Sequence, residues 1–463
     1  MLPWVQLRAD FSAGIELGVT MKNKNRTIAM IAGCIILVGA GCVFADDWPH
    51  WRGPYYNGGG DEKNLPGSFS KTENMLWVCP LPGEGSATPI VTSGKVFISS
   101  TGAGSKDLLG LCIDAATGKE LWRKKLGTAY AKIRRNTMAT PSAVADGKSV
   151  YFMFGSGDLA RLDYEGRVLW SRNLQAEYGN ITIKFGYSCS PLYHDGKLYV
   201  LIQRRPKEYR EPRPEAPLDS FMLIIDAETG KNISKLDRKT DAVNESFDAY
   251  SSPLPVPSGK GHEIVTIAGD YVLARETATG RELWRYGCNP KKKENWRQVS
   301  TFGIGEGLLC CVRPRGEGVF ALRPGGSGTL SDKDVVWTFD GPAPDCSTPL
   351  YYQGMFYILA GDEAGKKLTC LDAKTGKQKW QGKLGGRPPY RASLTAADGK
   401  LYCINEAGDV VVLSANPEKF EVLSRASLGG EPTYASIAIA DGRLFIRTAE
   451  SLYCVSKQST ATN

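Results

Sequence analysis

From residue 76 to 456 the chain alternates short apolar runs with glycine-containing turns. Runs such as Leu111-Cys-Ile and Leu368-Thr-Cys-Leu are too short for helices and are bounded by turn residues. That pattern predicts strands. One stretch keeps returning. Asp114-Ala-Ala-Thr-Gly-Lys-Glu-Leu-Trp122 recurs as Glu276-Thr-Ala-Thr-Gly-Arg-Glu-Leu-Trp284 and as Asp372-Ala-Lys-Thr-Gly-Lys-Gln-Lys-Trp380. Asp226-Ala-Glu-Thr-Gly-Lys-Asn-Ile-Ser234 keeps the turn without the Trp, and the contracted Asp163-Tyr-Glu-Gly-Arg-Val-Leu-Trp170 keeps the Trp. Gly takes the positive φ that a tight hairpin needs, and the Asp carboxylate accepts from turn amides. Self-similarity at a period of four short strands predicts a β-propeller.

A small residue followed by Ser or Thr, often with Pro, opens each unit ahead of an Asp-Gly-Lys-like turn. The openings are Ala87-Thr-Pro89, Ala139-Thr-Pro141, Cys189-Ser-Pro191, Ser251-Ser-Pro253, Ser300-Thr-Phe302, Ser347-Thr-Pro349, Ala392-Ser393 and Ala435-Ser436. The fifth unit is degenerate and reaches Trp337 only after a long Gly-rich turn. The eighth stops after its third strand, Leu452-Tyr-Cys-Val455, whereas Leu76 to Leu81 is an orphan outer strand. The expected fold is therefore all-β: an eight-bladed propeller of four-stranded antiparallel blades, closed by the N-terminal strand completing the last blade. Such closure removes an open sheet edge. Trp77, Trp122, Trp170, Trp284, Trp337 and Trp380 are expected as structural docking residues at blade interfaces. Burying each contributes roughly 2–3 kcal/mol. The chain divides into an upstream extension and leader (1–45), an aromatic segment (46–75), the propeller (76–456) and a tail (457–463).

The leader reading rests on Lys22, Lys24 and Arg26 ahead of an apolar Thr27 to Gly41 stretch, with Val43-Phe-Ala45 as a small-x-small cleavage pattern. Met21 opens this pattern, so residues 1–20 read as upstream of the start. Export to the periplasm or cell envelope is expected. A lipid anchor stays open, because Ile31-Ala-Gly-Cys34 and Gly39-Ala-Gly-Cys42 each approach a lipobox. The net charge of +8 falls to +6 without residues 1–45, too mild a bias to imply nucleic acid. Cys112, Cys370 and Cys454 hold the same repeat position inside apolar strands. Equivalent positions in different blades lie too far apart to pair, so these thiols are read as small buried hydrophobes rather than disulfides.

The Asp-x-x-Thr-Gly-x-x-x-Trp recurrence resembles the tryptophan-docking motif of pyrroloquinoline-quinone (PQQ) repeat propellers. That superfamily includes BamB-like assembly lipoproteins and quinoprotein alcohol dehydrogenases. Trp48-Pro-His-Trp-Arg-Gly-Pro resembles the opening of exported PQQ-like propellers. The resemblance implies a fold firmly and a function weakly, because the superfamily holds both enzymes and binding scaffolds. A quinoprotein enzyme in this family holds its quinone over Ca²⁺, with a carboxylate base and often a vicinal disulfide. The vicinal pair here, Cys310-Cys311, falls in Leu308-Leu-Cys-Cys-Val312, a strand slot rather than a loop. His50, His194 and His262 are scattered along the chain, and Asp345 and Glu431 are the only acidic candidates near the axis. No catalytic, cofactor-binding or metal-ligating set is identified, and no cofactor is expected outside the quinoprotein alternative, which would need PQQ with Ca²⁺.

Propeller geometry puts the Asp-Gly and Thr-Gly turns on one face and the longer, more individual loops on the other. The second face gathers Arg134, Arg135, Tyr187, Tyr250, Trp296, Arg297, Arg387, Tyr390, Arg391 and Tyr434. Basic and aromatic groups on loops held by a rigid ring suit a protein partner or an anionic glycan. The insertion Arg204 to Asp219 projects on the same face. The sequence therefore predicts a monomeric, exported, non-enzymatic scaffold with an unidentified envelope protein or anionic glycan as partner. A PQQ-dependent oxidoreductase and a glycan- or polymer-binding module are the alternatives.

Overall fold

The computed structural model describes residues 47–205, 219–362 and 365–457. Residues 1–46, on which the expected leader and the open lipid-anchor reading fall, residues 206–218 of the insertion, 363–364 and 458–463 lie outside the described residues. The remainder forms eight antiparallel sheets arranged as successive blades, as the repeat predicts. Blade 1 shows the plan, with strands Ile90–Thr92, Lys95–Thr101, Asp107–Asp114 and Glu120–Thr128 in that spatial order. The two middle strands carry an almost unbroken buried run, while the outermost alternates between partly buried and exposed. That difference follows from position: middle strands are covered by neighbouring blades on both faces, and the outer strand meets water.

The ring closes as expected. The N-terminal strand Met75–Pro80 pairs antiparallel with Ser451–Ser456, placing Trp77 opposite Cys454 and Cys79 opposite Leu452. One blade departs from the four-stranded plan. The Gly-rich stretch between the third and fourth strands of blade 5 swings back, and Gly328–Leu330 pairs parallel with Glu282–Gly287 as a fifth strand of blade 4.

The recurring turn does what its residues dictate. Asp114 Oδ1 accepts from the Thr117 amide at 2.8 Å and hydroxyl at 2.7 Å, and Asp372 repeats this with Thr375 at 2.9 and 2.7 Å. The following Gly lies at φ +73° in Gly118 and +69° in Gly376. Its missing Cβ is also the seat for the preceding blade's Trp. A Cβ on Gly118 would come within 2.6 Å of Trp77, on Gly166 within 2.8 Å of Trp122, and on Gly230 within 2.7 Å of Trp170. Each of those indoles donates to a carbonyl in the same neighbouring turn: Trp77 to Ala115 at 3.1 Å, Trp122 to Tyr164 at 2.9 Å and Trp170 to Ala227 at 3.1 Å. Trp337 donates to Ala373 and Trp380 to Asn416 in the same way. In blade 3, where the motif lost its Trp, Leu236 fills the seat against Gly280. Trp284 differs. It donates to Glu263 of its own blade at 2.9 Å, under the added fifth strand.

Residues 47–67 run across the turn face and cork the channel there. Trp48 pairs with Val91 of blade 1, Ala145 of blade 2 donates to Pro49, and Gly60 donates to Ala396 of blade 7. Arg52 is fully buried and ties three carbonyls together, those of Leu394 at 2.9 Å, Asn57 at 2.6 Å and Pro349 at 3.1 Å. Burial pulls its pKa down to about 9, and burial together with Arg52 pushes His50 down to about 3, so the imidazole stays neutral. Further along, Glu62 accepts from the amides of Asp441 and Gly442, and Pro66 accepts from Tyr402.

Candidate functional site: the funnel on the loop face

Because the turn end is corked, the channel opens as a funnel of about 700 Å³ on the loop face. Its throat is a collar of hydroxyls, one from each blade. The Thr88 amide donates to Ser142 Oγ, Ser142 to Ser190, Ser190 to Ser252, Ser252 to Thr301, Thr301 to Thr348, and Thr348 to Ser393, while Ser436 donates to Thr88 Oγ1. Those links measure 2.9–3.1 Å. All eight residues are 2–8 % exposed and all line the funnel. Each oxygen that takes an amide hydrogen still has its own proton to give. The indole of Trp51, carried by the cork, also lines the funnel.

The wall is built of ion pairs. Arg297 bonds Asp345 at 2.5 Å and approaches Glu245 at 3.5 Å, and Arg315 bonds Glu245 at 2.9 Å. Arg391 bonds Asp362 at 2.6 Å and also pairs with Glu406. Asp345 Oδ1 and Asp362 Oδ2 are buried and have no hydrogen-bond donor among the described residues. Burial raises the Asp362 carboxyl, opposed by Arg391 and reinforced by Asp345. Between them in the wall, the Cys346 thiol is pushed well up by burial and by both carboxylates, which disfavours the thiolate. Behind this wall Asp248 is fully buried, with Arg205 Nε 3.5 Å away, and burial pushes its pKa up to about 7.

A groove of about 640 Å³ leads from the funnel to the rim between blades 8, 1 and 2. It shares Ser86, Arg135, Asn136 and Tyr434 with the funnel and continues past Tyr130, Lys106 and Lys132.

Structure sorts the residues predicted for this face into three groups. Arg134, Arg135 and Arg387 are exposed, and Tyr434 is 39% exposed; none of the three arginines has a carboxylate partner among the described residues. Arg297 and Arg391 sit in the funnel wall, already paired. Tyr187, Tyr250, Trp296 and Tyr390 are buried beneath the loops. Lys293 lies over the Trp296 ring, and Tyr250 accepts from the Phe185 amide at 3.2 Å. Large aromatics fill the gaps that open between blades toward the rim, a demand that no local pattern announces. Of the two acidic candidates, Asp345 is in the funnel, whereas Glu431 is held by Thr448 and by Ser451 at 3.1 Å. Its place in the funnel is taken by Asp362. His194 and His262, far apart in sequence, stack edge to face with centroids 4.9 Å apart across blades 3 and 4. The collar was missed by sequence reading, although part of its signal is present: in six blades a hydroxyl stands six residues before the turn glycine, as Ser190 does before Gly196 and Thr348 before Gly354. In blade 2 the hydrogen bonds place Ser142, five residues before Gly147, in the collar rather than Thr140 of the opening triplet.

A propeller with tryptophan-seated blades and an axial funnel defines a class. The chain belongs to the PQQ-like propeller family: over residues 68–202 and 290–462, well over half its length, it matches the family model described as outer membrane protein assembly factor BamB. No curated protein matches the sequence. Among solved structures it is similar to a europium-containing methanol dehydrogenase, at TM-score 0.63 and 11% identity over 88% of this chain and 90% of that one. It is similar to the quinohemoprotein alcohol dehydrogenase from Comamonas testosteroni, at TM-score 0.64 and 14% identity over 90% and 82%. It is also similar to BamB from Moraxella catarrhalis, at TM-score 0.56 and 13% identity over 82% and 99%. At such identities the likeness is one of fold.

The funnel residues do not fit a quinone held over a divalent ion. Cys310 and Cys311 alternate across a buried strand, one facing the blade 5–6 core and the other the blade 4–5 core, so no ring can rest on both. No group of three or more His, Cys, Asp or Glu among the described residues is arranged to hold a metal ion. Three of the four funnel arginines are paired with carboxylates, leaving little surplus positive charge for a polyanionic cofactor.

Proposed function

We propose that the protein works in the periplasm or cell envelope as a non-enzymatic propeller scaffold that recruits a protein partner on its loop-rich rim. The observation that carries this reading is the sector of unpaired cations at the funnel mouth. Arg135 lines the funnel mouth with Tyr434 and its chain neighbour Arg134 is exposed, neither with a carboxylate partner among the described residues, while the arginines deeper in are internally neutralised. Unpaired surface cations raise the encounter rate with an acidic partner, and an adjoining exposed aromatic supplies an anchor. The family description, an outer membrane protein assembly factor, supports a partner that is itself a protein.

Affinity capture from an envelope extract tests it, with the double variant Arg134→Glu/Arg135→Glu as comparator. Reversal at Arg297 or Arg391 is unsuitable, because it would break the funnel wall. The expected result is an acidic partner retained by the native protein, released by salt, and lost from the double variant. Equal capture by both proteins would contradict the reading.

A further inference from the structure

The funnel and its groove pose a separate question, independent of the rim. The collar presents hydroxyl protons from buried side chains that have no acceptor among the described residues. On one wall, Asp345 and Asp362 line the funnel as carboxylates whose arginine-bonded oxygens still have lone pairs to accept a further hydrogen bond. Donors on one side and carboxylate acceptors on the other match a ligand whose every polar group both gives and takes a hydrogen bond. That is the chemistry of a polyol ring. A sugar hydroxyl donates to a carboxylate and accepts from a serine at once. Trp51 and Tyr434 supply apolar ring faces for the C–H face of a sugar. The neutralised wall argues against a small polyanion, and Arg135 is the one funnel arginine without a carboxylate partner among the described residues. The volume of about 700 Å³ is in the range of a small-molecule site. The groove past Tyr434 and Tyr130 gives the ligand a way to continue outward.

We infer that the funnel binds the terminal sugar of an oligosaccharide, with the following residues lying in the groove between blades 8, 1 and 2. The terminal ring sits between the collar and the Asp345–Asp362 wall, and the chain leaves over Tyr434. Nothing in this inference requires the rim cations to recruit a protein. The capture experiment and a sugar titration can therefore fail separately.

The test is titration of the full chain, followed by ligand-observed NMR and calorimetry. The probes are glucose, mannose, galactose and N-acetylglucosamine, and linear oligomers of each up to the hexamer. The expected result is saturable binding in which an oligomer binds more tightly than its monomer. Asp345→Asn, which keeps the shape and removes the charge, should weaken both by roughly tenfold or more. Tyr130→Ala, on the exposed groove wall beyond the funnel, should weaken the oligomer several-fold and leave the monomer unchanged. A channel filled only with ordered water predicts no saturable signal from any probe, and that result overturns the inference. So does binding that is indifferent to both variants. Equal affinity for monomer and oligomer, unaffected by Tyr130→Ala, overturns the placement of the chain in the groove.

Discussion

At the scale of single residues the chain keeps several charges where water cannot reach them, and each is managed differently. Arg52 is held by backbone carbonyls alone among the described residues. A buried guanidinium whose two terminal nitrogens reach three carbonyls is tolerable because its donors point in fixed directions, although Nε has no acceptor among the described residues. Asp248 is the opposite case. Burial raises its carboxyl to about 7, with Arg205 and Lys184 opposing and Glu245 adding to the rise. The folded protein therefore binds a proton on Asp248 between about pH 4, where an unfolded Asp titrates, and about pH 7. Where the native state holds the extra proton, stability falls as pH rises. Asp248→Asn imitates the protonated form. Its melting temperature should equal that of the native protein near pH 4.5 and exceed it near pH 8. Parallel melting curves across that range would show that Asp248 is not titrating there.

At the scale of elements, the seat of a Trp on the next blade's Gly joins sequence to tertiary structure. The Gly is needed twice: for its positive φ and for the space the indole takes. The two demands can be separated. Gly166 lies at φ +85° and a Cβ would sit 2.8 Å from Trp122, whereas Gly147 lies at φ +90° with nothing within 4 Å. Gly147→Ala carries the backbone penalty alone, about 1 kcal/mol. Gly166→Ala adds displacement of an indole and should lose roughly 1–3 kcal/mol more. Denaturant melts of the two variants give the difference directly, and equal losses would mean that the indole is not seated there. These elements were legible in the sequence because each is local: Asp, Thr, Gly and Trp at fixed spacing encode turn, bulge and dock together. The fifth strand of blade 4 was not legible. Gly325 to Gly328 reads as a turn, and its pairing with Trp284 depends on an edge some forty residues upstream.

At the scale of the whole molecule, the site is legible only once the ring is built. Each blade contributes one hydroxyl to the collar, so the residues that meet there are scattered from Thr88 to Ser436 and show no motif as a set. The same holds for Arg391, Asp362 and Glu406, which three separate loops bring together. Charge was legible as a face but not as pairs, and for that reason Arg297 and Arg391 looked as available as Arg134 and Arg135. Aromatic residues on loops were legible as a group but not as buried or exposed, since packing between blades decides that. The cork gives the molecule its polarity. Residues 47–67 occupy the turn end of the channel, leaving the loop end as the concave surface.

That polarity is the claim on which the functional account stands, and site-specific photocrosslinking in the living envelope tests it most directly. A photoreactive residue placed at Arg134 or Tyr434 reports on the loop rim, and one placed at Lys119 or Lys231, both exposed on Thr-Gly turns, reports on the opposite face. The account predicts discrete protein adducts from Arg134 and Tyr434 and none from the turn positions. Adducts from Lys119 and Lys231, with the rim positions silent, would contradict it.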